Sequence, residues 1–246
     1  MSYPGGKAGS GIAQRQINLI PPHKIWVTGF AGHCAVTLMK KPAPIDNIIV
    51  DKDEECLNHI RTFMPDITHP TAITCWYGDF LGWWDMNTPK LREITKPGEV
   101  FIYLDPPYLA TSTRPRYKHQ FNVSLHEYLL RRVVDEKHFN VMICGYPNSL
   151  YNHMLGLSRL HTGKSPLGWT EINYEAWTRG AKFKTEALYL NYNPPVELHD
   201  YAHLGADFRS RERIRKKQRR WLAKFDDLPL QEKYAILEQM KERMNL

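Results

Sequence analysis

The chain has 246 residues, a hydrophobic fraction of 42%, a charged fraction of 24% and a formal net charge of +7. That length and composition suit one α/β domain with a large core and a small appendage, and the excess of positive charge favours a polyanionic partner. No apolar run approaches the roughly 20 residues that span a bilayer, and the N-terminal MSYPGGK has no apolar leader, so a membrane protein is excluded and a soluble, intracellular one is expected. Cys34, Cys56, Cys75 and Cys144 form no C-x-x-C pair and lie in or beside apolar stretches, which predicts reduced, buried thiols rather than a disulfide framework.

The first 150 residues alternate between helix-like and strand-like segments. Ser10–Ile20 carries Ile12, Gln16 and Leu19/Ile20 near helical spacing. KIWVTGF (24–30) reads as a strand followed by a glycine turn and a helix near 35–41. NIIV (47–50) is a second strand ending at Asp51, DEECLNHIRTFM (53–64) an amphipathic helix, and AITCWY (72–77) a third strand ending at Gly78-Asp79-Phe80. The fourth strand is 100–104. Ser124 is the expected N-cap of a helix over 124–137, with Glu127 completing a capping box. NVMIC (140–144) is the fifth strand.

Continuous apolar strands alternating with helices predict a mostly parallel sheet, Rossmann-like, covered on both faces. In such sheets ligands bind beyond the carboxyl ends of the strands, so Phe30-Ala31-Gly32, Asp51, Asp79 and Asp105 are expected along one edge. Residues 169–177 and 184–192 alternate in type around Arg179-Gly180, which predicts an antiparallel hairpin closing the sheet. From Asp207 the composition changes. DFRSRERIRKKQRRWLAKF places eight cations among residues 208–220 against Glu212 alone, with Phe208, Ile214, Trp221 and Phe225 at positions a helix could partly bury. A second helix over 230–244 follows the Asp227-Leu228-Pro229 break. The expected division is a catalytic domain, residues 1–205, and a basic helical extension, residues 206–246.

The chemistry concentrates in FIYLDPPY (101–108). Asp105 precedes a proline and stays extended, while Pro106 and Pro107 fix two φ angles and remove two N–H donors. The result is a rigid rim of acceptors, the Asp105 carboxylate and the Pro106 carbonyl, beside the flat ring of Tyr108. A planar group bearing an –NH2 fits that rim. Two acceptors pull the amine towards tetrahedral geometry and localise its lone pair for attack on an electrophilic methyl group, by positioning and electrostatics alone.

DPPY at 105–108, with YPGGK at 3–7 and FAGHCAV at 30–36 in that order, resembles the Dam-like group of S-adenosylmethionine-dependent DNA adenine-N6 methyltransferases; TRGAKFKTEALYLNY (178–192) is similar to the family's closing hairpin. The resemblance covers most of residues 2–192. It implies that Asp105, Pro106, Pro107 and Tyr108 hold a flipped-out adenine, and that Asp51 takes the ribose hydroxyls of S-adenosylmethionine. It further implies that Asp79 and Phe80 sit at the cofactor's adenine, that Phe30 and Gly32 line its methionine end, and that Tyr3, Pro4, Gly5, Gly6 and Lys7 close that end. Two departures stand out. Cys34 occupies the second glycine of the family's F-x-G-x-G loop, where a side chain should narrow the approach to the cofactor. The interval from Asp51 to Asp79 is too short for the family's target-recognition domain, which implies a short or relaxed target sequence.

Arg114, Arg116, Tyr117 and Lys118, in the loop beside Tyr108, and Arg215, Lys216, Lys217, Arg219 and Arg220 are the candidate nucleic-acid contacts. The expected partner is double-stranded DNA, with single-stranded DNA admitted as well, in a bacterial or phage-host cytoplasm. The oligomeric state is open. GGK at 5–7 is not a phosphate loop, because Met1 stands at the first glycine position and Ala8 follows the lysine. The eleven histidines show no ligand spacing, so no metal is expected. No cysteine follows a proline, which argues against a cytosine carbon-5 enzyme. The alternatives are adenine-N6 methylation of RNA, cytosine-N4 methylation, and a nucleic-acid-binding module without catalysis.

Overall fold

The computed structural model of the chain describes residues 11–64, 72–109, 119, 121–157, 165–177 and 183–244. The chain folds as two compact units, Met1–Tyr201 and Ala202–Leu246.

The first unit is built on a seven-stranded sheet of order β3-β2-β1-β4-β5-β7-β6. Its strands are β1 (Ile25–Gly29), β2 (Asp46–Asp51), β3 (Ala72–Tyr77), β4 (Val100–Leu104), β5 (Asn140–Gly145), β6 (Thr170–Trp177) and β7 (Phe183–Leu190). The first five are parallel and β7 runs antiparallel to both β5 and β6. This is the Rossmann-like sheet expected from the sequence, mostly parallel with a closing hairpin. The central strands β1 and β4 are buried at every position, as apolar runs covered on both faces must be. The edge strand β3 is largely exposed.

Alternate residues of β1, β2, β4, β5 and β7 feed two cores. Val27, Val50, Ile102 and Ile143 face one way, packing under α4 (Phe80–Ile94), α5 (Val123–Val133) and α6 (Ser149–Met154). Trp26, Ile49, Phe101 and Met142 face the other, under α1 (Ile12–Ile17), α2 (Ala35–Met39) and α3 (Glu54–Phe63). Each helix offers the sheet a narrow stripe: on α5 it is His126, Leu129, Leu130 and Val133, spaced i, i+3, i+4, i+7.

The N-terminus of α5 corrects the expected capping. Asn122, not Ser124, is the N-cap, its Oδ1 accepting from the Leu125 N–H at 3.0 Å. Asn accepts as well as Ser does at this position. Of the cysteines, Cys56 and Cys144 are buried while Cys34 and Cys75 are only partly so, and all four are free thiols.

The second unit holds α7 (Phe208–Asp226) and α8 (Leu230–Met244). Asp207 caps α7 in a reciprocal box with Ser210. Ile214 and Phe225 are half-buried, whereas Phe208 and Trp221 stay 69% and 62% exposed. Among the described residues, no helix is long and apolar enough to cross a membrane.

Candidate active site at the carboxyl edge of the sheet

Strand order places β2 and β3 on one side of β1, and β4, β5 and β7 on the other. The chain therefore reverses its direction of progress between β1 and β4, and that switch point is where open α/β sheets bind ligands. Register brings the expected residues together there. Gly29 is paired with both Val50 and Leu104, so Phe30, Asp51 and Asp105 each leave the sheet at the same level.

The turn after β1 is tight. A Cβ on Gly29 would lie 2.4 Å from Phe80 Cδ2, so only glycine admits the Phe80 ring. Phe30 adopts φ +58°, a left-handed conformation uncommon in a non-glycine residue and held here by packing of its ring on Phe80 (5.3 Å) and Phe121 (4.9 Å). Gly32 follows at φ +49°, and its N–H donates to Asp51 Oδ2 at 2.8 Å. Asp51 Oδ1 accepts from the Asp53 N–H at 2.7 Å. Burial raises the Asp51 carboxyl above its ordinary range, against the pull of those two bonds. A carboxylate offers about four lone-pair sites. Two remain for the paired hydroxyls of a ribose, so the donor set fits the role the resemblance implies for Asp51.

Cys34 stands at the N-cap position of α2. Its Sγ turns towards α2, accepting from the Thr37 hydroxyl at 3.1 Å, and burial pushes its thiol pKa up. The thiol is thus a neutral filler behind the turn. Asp79 serves α4 directly, as the N-cap that accepts from the Gly82 N–H at 3.0 Å, and pairs with Lys52 at 2.8 Å. Phe80 is 2% exposed and packs in the core beneath Phe30.

Across the switch point, Asp105, Pro107 and Tyr108 are half-buried and Pro106 is buried. The Asp105 charge reaches Cys34, Tyr103, Tyr108 and Tyr151, adding to burial in pushing each of their pKa values up. Tyr108 thus remains a neutral phenol. Its ring meets Tyr146 edge to face at 4.6 Å, and Lys184 Nζ lies 3.4 Å from the Tyr146 ring centroid. Tyr108, Tyr146, Pro147, Asn148, His126 and Tyr151 line a cavity of about 80 Å³. That space suits the edge of one flat ring, not a whole cofactor, whose pockets run to roughly 300–1,000 Å³.

Sequence reading missed Tyr146, Pro147 and Asn148. The signal was present: they follow the carboxyl end of β5, the same rule that singled out Asp51 and Asp105. Asn148 shapes the turn, donating to the Tyr146 carbonyl at 2.9 Å and capping α6 through the Tyr151 N–H at 2.9 Å. Beneath the rim, a buried polar chain crosses the sheet face. Cys144 Sγ donates to Tyr103 (3.2 Å), Tyr103 to Gln16 Oε1 (2.8 Å), Gln16 Nε2 to Tyr174 (3.0 Å), and Tyr174 to Glu186 (2.9 Å).

Tyr3, Pro4, Gly5, Gly6 and Lys7, and Arg114, Arg116, Tyr117 and Lys118, lie outside the described residues. Arg215, Lys216, Lys217, Arg219 and Arg220 are exposed on α7, where Arg215 pairs with Glu212 at 3.0 Å. No cluster of three metal-ligating side chains occurs among the described residues.

No family model matches the chain, and no curated protein matches it. Among solved structures it is similar to M. capricolum TrmK bound to S-adenosylhomocysteine (10% identity, 93% of each chain, TM-score 0.42). It is also similar to a methyltransferase from Pyrococcus furiosus (15%, 78% of this chain and 88% of that one, 0.42). A third is an rRNA methylase from Streptococcus thermophilus (11%, 72% and 93%, 0.39). Identities this low and TM-scores below 0.5 say nothing about what this chain acts on.

Proposed function

We propose that this chain transfers a methyl group from S-adenosylmethionine to N6 of an extruded adenine in DNA. The observation that carries the reading is the Asp105-Pro106-Pro107-Tyr108 rim at the end of β4, level with the Phe30–Gly32 turn and Asp51 across the switch point. S-adenosylmethionine supplies an electrophilic methyl group; Asp51, Phe30 and Gly32 are the described residues that would hold it. The Asp105 carboxylate and Pro106 carbonyl accept the two N–H bonds of the target amine and localise its lone pair. Tyr108 stacks on the base, and its neutral ring adds no charge to repel a polyanion. On transfer the S–CH3 bond would break as the C–N bond formed, S-adenosylhomocysteine would be left, and Asp105 would hold the newly acidic amine proton until it passed to solvent.

Extruding a base from a duplex costs a few kcal/mol. In this reading the cations of α7, with Arg114, Arg116 and Lys118, offset that by binding phosphates, and residues 206–246 act as a basic arm to the catalytic domain of 1–205. With one helix and one strand described between Asp51 and Asp79, the target is short or loosely defined. Incubation with labelled S-adenosylmethionine and either DNA or RNA, followed by nucleoside mass spectrometry, tests the proposal. N6-methyladenosine in its deoxy form is expected. The ribose form alone would make it an RNA enzyme, N4-methylcytosine would change the base, and absence of cofactor binding would leave only a binding module.

A further inference from the structure

Lys184 on β7 sits against the rim. Its Nζ lies 3.4 Å from the centroid of the Tyr146 ring, and that ring meets Tyr108 edge to face at 4.6 Å. The backbone under the ring is pinned: the Tyr146 carbonyl accepts from the Tyr189 hydroxyl at 3.2 Å and from Asn148 Nδ2 at 2.9 Å. Lys184 is half-buried, and among the described residues no carboxylate forms an ion pair with it. Glu186, the next residue on the same face of β7, is engaged by the Tyr174 hydroxyl instead. A half-buried ammonium is costly to leave without a counter-charge, and the face of one ring offsets that cost only in part.

The distribution of charge calls for a cation here. Helix α7 holds nine cations and two acids, a surplus of +7 that equals the surplus of the whole chain, so the remainder carries as many acids as cations. The rim itself is acidic: besides burial, the Asp105 and Glu186 charges push the Tyr108 phenol pKa up. A nucleotide that presents its base to Tyr108 brings a phosphate towards those two carboxylates. A Lys ammonium has three N–H donors, and the Tyr146 face cannot take all of them.

We propose that Lys184 binds a backbone phosphate of the nucleotide whose base enters the rim, with the Tyr146 ring as the seat that holds its ammonium in place. This deepens the methyltransferase reading and rests on it: the substrate is a phosphate-bearing nucleotide rather than a nucleoside, and phosphates are met at the rim as well as along α7. The competing anion is the carboxylate of S-adenosylmethionine. Lys184 stands on β7, on the far side of β4 from Phe30, Gly32 and Asp51, which favours phosphate.

Fluorescence anisotropy tests this with the whole chain, S-adenosylhomocysteine, which cannot donate a methyl group, and a short duplex whose adenine sits in a mismatch and is easily extruded. K184Q should bind about tenfold more weakly, the loss of one charge-assisted hydrogen bond, and flatten the log–log salt slope by about 0.9. K184R, which keeps the charge, should restore the slope. In turnover, K184Q should raise KM for DNA while kcat and the Kd of S-adenosylmethionine stay within about twofold, since a phosphate contact is made equally in ground and transition states. An unchanged slope in K184Q, or K184R no better than K184Q, overturns the phosphate contact. So does a loss of cofactor affinity, which would put the cofactor carboxylate on Lys184, and so does wild type that fails to bind the duplex. Wild type that binds with a slope sensitive to K184Q, yet methylates neither DNA nor RNA, fells the methyltransferase reading and keeps the contact. Active wild type with an indifferent K184Q fells the contact alone.

Discussion

At the scale of single residues, the site divides into groups that meet substrate and groups that hold them. In the proposed reading Asp105 belongs to the first. Its carboxylate stands at the rim, level with Phe30 but not part of the β1 turn, so its loss should spare cofactor binding. Asp105→Ala is expected to lower kcat by about 10²–10³ or more, as removal of a preorganised electrostatic partner does. Isothermal titration with S-adenosylmethionine should give a Kd close to wild type. Parallel loss of both would place Asp105 on the cofactor instead. Gln16 belongs to the second group. It is fully buried and joins Tyr103 on β4 to Tyr174 on β6 through both ends of its amide. Gln16→Met keeps the volume but strands the Tyr103 hydroxyl proton, which should destabilise the protein by about 1–3 kcal/mol in urea unfolding. Tyr103→Phe on top should then cost less than it does alone, because the stranded group is gone. Additive losses would show that the two residues do not form one chain. The DPPY rim was legible because two prolines after an acid leave few structural readings. Gln16 was not, since its partners lie 87 and 158 residues away.

At the scale of elements, legibility followed local chemistry. Strand β3 and helix α8 match their expected ranges, 72–77 and 230–244, because alternation and a proline break mark their ends. Helix α4 went unread. Gly82 and Pro89 look like breakers inside Phe80–Ile94, yet burial of Phe80, Leu81, Trp83 and Trp84 against the sheet overrides them. Helix α7 needs no such support. Its interior is rich in Arg and Lys, both strong helix formers, and none of its residues is buried. An element of that kind has cations to spare. Replacing Arg215, Lys216, Lys217, Arg219 and Arg220 with Gln should flatten the log–log salt dependence of DNA binding by about 0.9 for each phosphate no longer neutralised. Fluorescence anisotropy across a salt series reads this directly, and the helix survives because Gln is nearly as good a helix former as Arg. An unchanged slope would make the tract a solvated face.

At the scale of the whole molecule, the sheet order was the least legible feature, since pairing of β1 with β4 joins segments separated by two other strands and their helices. The same long-range packing creates a titrating clasp that no local pattern announced. The segment 198–201 returns to the start of the domain. The His199 N–H donates to the Ile20 carbonyl at 2.9 Å, its Nε2 lies 2.9 Å from the Lys41 carbonyl, and Asp200 accepts from the Lys41 N–H at 2.8 Å. The His199 ring stacks on His23 at 3.8 Å, and Lys40 lies buried over Trp26 at 4.3 Å. Burial first, then the Lys40 charge, lowers His199 to about 4 and drives His23 well down; burial lowers Lys40 itself to about 7, with Asp200 opposing. All three are bases whose folded pKa lies below the unfolded value, so the unfolded chain binds more protons between the two and stability rises with pH across that window. For His199 the window runs from about 4 to about 6.5, for Lys40 from about 7 to 10.5. Urea unfolding should therefore show stability falling as pH drops from 6.5 towards 4, and rising above 7. His199→Gln keeps a donor near Nε2 and removes the titration. Relative to wild type, it should flatten the acid limb by up to one proton, about 1.4 kcal/mol per pH unit, and leave the slope above pH 7 intact. The comparison cancels the carboxyl groups common to both proteins, including Asp46 and Asp51, whose raised pKa values act in the opposite sense to the bases. Identical acid limbs would mean that His199 leaves the clasp before it titrates.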